Sequence, residues 1–107
     1  MKENILEYHR NKRIKHIVVF HDNDRKEHEY FYNEKEILHR INKPAWQQWY
    51  DNGIKEYDAY FVNGNYHNIC NPTTIRHSRF GNIMWKSYYI YGDGYNKLNW
   101  MNLIKKI

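Results

Sequence analysis

The reading of this chain turns on His39-Arg40-Ile41-Asn42-Lys43-Pro44-Ala45-Trp46-Gln47-Gln48-Trp49-Tyr50-Asp51-Asn52-Gly53-Ile54-Lys55-Glu56-Tyr57-Asp58-Ala59-Tyr60. The stretch reads as a polar loop, a strand, a tight turn and a returning strand. Asn-Gly between aromatic runs is the strongest short-range hairpin signal, because both residues accept the left-handed backbone that a tight turn needs. Working outward, its landmarks recur. His39 is followed by Pro44, Gly53 and Tyr60 at offsets of 5, 14 and 21 residues. His67 is followed by Pro72, Gly81 and Tyr88 at the same offsets, so the shift is 28 residues throughout. A period of this size predicts tandem units, each one supersecondary element.

A third copy lies upstream. His9-Arg10 precedes His39-Arg40 by 30 residues, as Asn23 precedes Gly53 and Tyr30 precedes Tyr60. The two extra residues fall in the link from Tyr30 to His39, where a surface turn absorbs an insertion without disturbing strand register. The expected units are 9–38, 39–66 and 67–94, with caps at 1–8 and 95–107, all within one domain over 1–107.

The remaining strands follow from local pattern. Ile17-Val18-Val19-Phe20 is β-branched and aromatic, and Asp22-Asn23-Asp24 bounds it as a turn. Glu27–Tyr32 is the expected return. Ile54–Val62, a short strand over Asn65–Ile69, Thr73–Phe80 and Ile83–Tyr91 complete the set, with a further turn at Gly92-Asp93-Gly94. Pro44 and Pro72 occupy the same position ahead of a strand, where a missing N–H is tolerated. Residues 1–8 read as a short helical or irregular cap that Asn4 would start. At the other end Trp100, Leu103, Ile104 and Ile107 lie at helical spacing, so a short terminal helix is expected there. The fold class is therefore all-β: an antiparallel meander of hairpin repeats, six or seven strands, with short terminal helices.

Composition narrows the function. The chain has 107 residues, 18% of them aromatic, with 11 tyrosines. Its mean hydropathy of −1.04 is low. So much aromatic content argues against disorder, and tyrosine suits a thin sheet because its ring covers neighbours while its hydroxyl stays wet. One cysteine, Cys70, allows no internal disulfide, which fits a reducing compartment. The sequence has no apolar run long enough for a membrane helix and no secretion-signal core, so no membrane partner and an intracellular location are expected. A net charge of +5 permits an acidic partner without demanding one.

Phe31-Tyr32-Asn33, Leu38-His39-Arg40, Pro44-Ala45 and Trp49-Tyr50-Asp51-Asn52-Gly53 resemble the tandem repeat of short proteins common in giant DNA viruses. That repeat runs as aromatic-Asn-Gly, His-Arg, Pro-Ala and Tyr-x-Asn-Gly, and is similar to MORN-like repeats of the YwqK antitoxin type. The likeness spans residues 8 to 95. His67-Asn68 departs from His-Arg, and Tyr95-Asn96 lacks the histidine. The resemblance implies a hairpin repeat used for binding or assembly, with no catalytic activity and a viral source.

The residues point the same way. Seven histidines invite a metal, but no pair has a recognised ligand spacing, and repeat-equivalent His39 and His67 should sit one unit apart; no metal or cofactor is expected. Ser78 and Ser87 lack a nucleophile motif, and Gly92-Asp93-Gly94 lacks the lysine and helix of a phosphate loop. The His-Arg pairs read as structural groups bonding loop carbonyls; alternatively, Arg10, Arg40 and Lys43 line an edge and hold an acidic partner. The expected function is a non-catalytic module for protein–protein interaction or self-assembly, through an aromatic face or an open sheet edge. Trp46, Trp49, Tyr57 and Trp85 are its candidate anchors, with Arg40 and Lys43 beside them. The alternative is nucleic-acid binding, with Trp46, Trp49, Tyr57, Tyr60 and Phe61 as a stacking platform and Lys55, Arg76 and Arg79 as its cationic rim.

Overall fold

The computed structural model describes residues 2–106. Ten strands and one helix run in the order β1 (Lys2–Tyr8), β2 (Ile14–Phe20), β3 (Lys26–Phe31), β4 (Trp46–Trp49), β5 (Lys55–Ala59), β6 (Phe61–Val62), β7 (Asn65–Tyr66), β8 (Thr74–His77), β9 (Ile83–Ile90), β10 (Asp93–Tyr95) and α1 (Lys97–Ile104). Eight strands form one antiparallel sheet in the order β1-β2-β3-β4-β5-β8-β9-β10, while β6 and β7 make a separate two-stranded ribbon. The all-β antiparallel meander expected from the sequence is what the chain forms.

Its shape is a plate. The principal extents are 42 × 40 × 15 Å and the radius of gyration is 15.0 Å. A compact chain of this length would have a radius near 13 Å. Stacked sheets sit about 10 Å apart, so 15 Å of thickness holds one backbone layer and its side chains. Cohesion comes largely from neighbours within the sheet, added to where Phe61 of the ribbon joins Ala45, Tyr57 and Ala59 and where Trp100 packs on Tyr88.

The hairpins share one turn geometry. In 9–13, 21–25, 33–37, 50–54 and 78–82 the first residue donates its N–H to the fifth carbonyl and accepts from the fourth N–H. The fourth residue has positive φ each time: Lys12, Asp24, Glu36, Gly53 and Gly81. Asn11, Asn23, Asn33 and Asn52 each accept, through their side-chain oxygen, the N–H two residues on. Asn23 also reaches the Asp51 carbonyl at 2.7 Å and Asn52 the Arg79 carbonyl at 3.1 Å, so successive turns along the lower margin are laced together.

The hydrogen bonds of the upper margin recur at the 28-residue spacing. Arg40 N–H donates to Phe61 and Asn68 N–H to Tyr89; Gly64 N–H donates to Leu38 and Gly92 N–H to Tyr66. Asn63 N–H donates to His39 Nδ1 and Tyr91 N–H to His67 Nδ1, both at 3.0 Å.

Several local expectations need correction: the strand expected over Thr73–Phe80 is only Thr74–His77, because Ser78, Arg79 and Phe80 belong to the 78–82 turn. Residues 2–8 are strand β1, paired with β2 from Lys2–Phe20 to Tyr8–Ile14, not a helical cap; Met1 lies outside the described residues. The hydrogen-bonding edge of β2 outcompetes a helix too short to stand alone. The predicted strand Ile54–Val62 breaks after Tyr60: its N–H still follows the β5–β8 register to the Thr73 carbonyl, but its own carbonyl accepts from His67, and Phe61-Val62 leaves the main sheet to pair with Asn65-Tyr66. The strand expected over Asn65–Ile69 is only Asn65-Tyr66, and the turn expected at Gly92-Asp93-Gly94 is Tyr91-Gly92, with Asp93-Gly94 already in β10. The main sheet has eight strands rather than six or seven. The terminal helix forms where expected, with Asn96 as its N-cap accepting from Asn99 N–H; the Ile107 assigned to its apolar stripe lies outside the described residues. Trp100 buries the helix against Tyr88 and donates to the Asn68 carbonyl at 2.8 Å.

Candidate functional site

Directly opposed residues of an antiparallel ladder share a face. The register sets Val18, Glu29, Gln47, Asp58, Ile75 and Lys86 in a row on one side, and Ile17, Tyr30, Trp46, Ala59, Thr74 and Ser87 on the other. The second side is aromatic. Tyr30 packs on Trp46 at 5.8 Å, Trp46 on Tyr57 edge-to-face at 5.1 Å, and Tyr57 on Trp85 at 6.3 Å. The Arg76 guanidinium covers both Tyr57 and Trp85 and pairs with Glu56 at 3.2 Å. The ribbon folds over the upper part, where Tyr57 and Phe61 join Ala45 and Ala59 in the core. Burial, followed by the hydrogen bond with Tyr66, pushes the Tyr57 hydroxyl well above its ordinary value. Among the described residues the buried Trp46 Nε1 has no hydrogen-bond partner.

The first side carries a polar ladder. Glu29, buried, takes His16 at 2.6 Å, Gln47 at 3.2 Å and Lys26 at 3.4 Å. Lys55 then bridges Gln47 at 2.7 Å and Asp58 at 2.9 Å. Trp49 lies here, under the ammonium groups of Lys26 and Lys55. Arg40 lies here too, its guanidinium 3.6 Å above the Phe31 ring. Burial pulls Arg40 below its ordinary value, with Glu29 opposing that shift. Lys43 is exposed in the 40–44 loop.

The sequence-predicted anchors therefore do not make one surface. Trp46, Tyr57 and Trp85 share the aromatic side, while Trp49 and Arg40 are on the other. Tyr57 is a core residue at 4% exposure, whereas Trp85 is 45% exposed. The nucleic-acid platform is divided in the same way, since Phe61 and Tyr57 are buried and Trp49 faces away.

What sequence reasoning missed is the sheet's last edge. Strand β10 pairs only with Tyr88–Ile90 of β9. Among the described residues no strand pairs with Ile83–Ser87 on that outer side, and residues 79–86 are all exposed. The equivalent stretch of β5, Tyr57–Ala59, is paired with Arg76–Thr74 of β8, and that of β3 with β4. Side chains along the open edge are apolar: Phe80 at 88% exposure, Met84 at 61% and Ile83 at 55%, beside Trp85. The missed signal was available: Ile83 and Met84 stand where the preceding unit has Lys55 and Glu56, and Phe80 stands where it has Asn52. The opposite edge, β1, carries Lys2, Glu3 and Glu7 and a bulge around Leu6, devices that discourage strand addition.

The histidines are mostly tied into the fold. His9 donates to the Tyr32 carbonyl, as the structural reading of His-Arg anticipates, and Arg40 donates to the Pro44 carbonyl. His39 and His67 instead accept from backbone N–H groups. Among the described residues no three His, Cys, Asp or Glu side chains come together as a metal site. Cys70 is exposed. Among the described residues no helix is long and apolar enough to cross a membrane. Comparison with family profiles, curated proteins and solved structures gives no match.

Proposed function

We propose that this chain is a non-catalytic, intracellular hairpin-repeat module that binds another protein by adding one of its extended segments to the open edge of β9. The recurring turn geometry and the equivalent bonds of His39 and His67 support three repeat units, as the likeness to giant-virus and MORN-like repeats implies. One observation carries the binding reading: Ile83–Ser87 occupies a position that the preceding units pair with a further strand, and here that position is vacant, apolar and weakly charged. Backbone groups left unpaired on an edge supply affinity for an added strand, while side chains such as Trp85, Met84 and Phe80 supply specificity.

Strand pairing fixes which peptide groups face outward. The Ser87 carbonyl accepts from Thr73, toward β8, so alternation turns the Lys86 N–H and carbonyl away from the sheet. Lys86→Pro removes that outward donor, and proline is tolerated on an edge. The expected result is loss of partner binding with an unchanged melting curve. Undiminished binding of the same partner by Lys86→Pro contradicts the reading.

Nucleic-acid binding is the second reading. Arg10, Lys12 and Arg13 crowd one turn, with no carboxylate paired to them among the described residues. A nucleic-acid complex would weaken steeply with added salt, about tenfold or more for each severalfold rise when several phosphates are neutralised. Strand addition at β9 would change little.

A further inference from the structure

A groove of about 920 Å³ opens at the sheet's upper margin, between His9 and the 31–41 segment. Phe31, Tyr32, Ile37 and Ile41 give it apolar walls. The Phe31 ring carries His16 stacked at 4.0 Å and the Arg40 guanidinium at 3.6 Å. Two groups so close to one ring centre must lie on opposite faces of it. Arg40 is thus held flat by stacking, and its N–H groups radiate in its own plane. One of them reaches the Pro44 carbonyl at 3.3 Å. Among the described residues no carboxylate forms an ion pair with Arg40, although the groove is also lined by Glu7 and Glu34. Glu7 is engaged by Lys15 at 3.2 Å.

A second donor is set by the backbone. His39 Nδ1 accepts the Asn63 N–H at 3.0 Å, so the hydrogen of the neutral ring sits on Nε2. His39 is itself a groove residue. The groove therefore offers a planar cation, an imidazole N–H and an apolar floor. Glu7 and Glu34 stand against Lys15, Lys35 and Arg40 in its lining, a surplus of one cation, which suits a monoanion better than a phosphate dianion. A guanidinium fork matches a carboxylate in geometry as well as charge.

We propose that this groove binds an organic carboxylate, with its charge on Arg40 and the His39 N–H and its apolar body against Phe31, Ile37 and Ile41. Two sources carry that chemistry: a free small acid, or the carboxyl terminus of another chain ending in apolar residues. The groove shares no residue with the β9 edge, so the two assignments stand or fall separately.

The test is a titration of the full ¹⁵N-labelled chain, followed by backbone amide shifts. The probes are benzoate, a short apolar peptide with a free carboxyl terminus, the same peptide amidated, and inorganic phosphate. Saturable shifts at Phe31, His39, Arg40 and Ile41 with benzoate or with the free-carboxyl peptide support the site, and which of the two binds more tightly assigns the source. Arg40→Gln should weaken that binding about tenfold or more, and Arg40→Lys less, since it keeps charge without the planar fork. If Arg40→Gln fails to fold, Ile41→Glu, on an exposed wall residue, should abolish binding by repulsion. No saturable shift with either carboxylate up to about 10 mM, weaker than ordinary specific recognition, overturns the proposal. So does equal binding of the amidated peptide, or tighter binding of phosphate.

Discussion

Thr73 is fully buried, and its hydroxyl both donates to the Tyr89 carbonyl at 3.1 Å and accepts the Tyr89 N–H at 2.8 Å. Thr73→Val keeps the shape but strands the Tyr89 N–H, while the Tyr89 carbonyl keeps its bond from Asn68 N–H, so it should cost about 1–3 kcal/mol in chemical denaturation. Trp100→Phe removes the indole bond to Asn68 and part of the buried ring volume, at about 1–3 kcal/mol; Trp100→Ala also empties the contact with Tyr88 and should cost about 3–5 kcal/mol. His67 provides a pH test. Burial lowers its folded-state value, so the unfolded chain binds the extra proton. Its contribution is complete above the unfolded value of about 6.5 and is lost as pH falls from there through the lower folded-state value. Melting temperatures recorded downward from neutral pH should decline, and His67→Asn, which can still accept the Tyr91 N–H, should flatten the decline; parallel curves for the two proteins would contradict this. These residues were only half legible in sequence. The 28-residue spacing marks His67 as special, but whether it donates or accepts depends on the Tyr91 N–H that folding brings to it. Arg40 was picked as cationic, yet its stacking on Phe31 joins two segments whose meeting no local pattern announces.

At the scale of elements, the turns decide most of the architecture. Gly53 and Gly81 occupy the left-handed position at no steric cost, while Lys12 holds φ 69° in the same place. Lys12→Gly should therefore stabilise the β1–β2 hairpin by about 0.5–1 kcal/mol, read as a raised denaturation midpoint. Gly64→Ala should do the reverse. Gly64 has φ +84°, and an added Cβ would lie 2.7 Å from the Ile37 methyl, so a loss of more than about 1 kcal/mol is expected. Asn52-Gly53 and Ile17–Phe20 were readable because turn chemistry and β-branched runs are local properties. The N-terminal strand was not. Lys2–Tyr8 is exposed along its whole length and owes its conformation to pairing with β2. Tyr60 was misread for a similar reason: an aromatic run looks continuous, but the Tyr60 carbonyl takes the His67 N–H and the chain beyond it pairs with Asn65-Tyr66 instead.

The whole molecule is a single-layer plate whose two edges are treated differently. β1 presents charges and a bulge, while the C-terminal edge has the short β10 and α1 over its upper half and bare β9 below. The antiparallel meander was legible because alternating aromatics and regular turns specify strand after strand. Which edge stays open was not, because it depends on where β10 stops and on which side α1 packs. The most direct test of strand addition is amide hydrogen exchange at Lys86, compared with Asp58, its counterpart one unit earlier. The structure leaves the Lys86 amide outward and free, while β8 runs beside Asp58. Lys86 should exchange quickly in the isolated protein, Asp58 slowly, and the bound partner should slow Lys86 by about two orders of magnitude or more, as a ladder hydrogen bond forms. A Lys86 amide already protected in the free monomer, or one that a bound partner leaves as fast as before, would contradict the account.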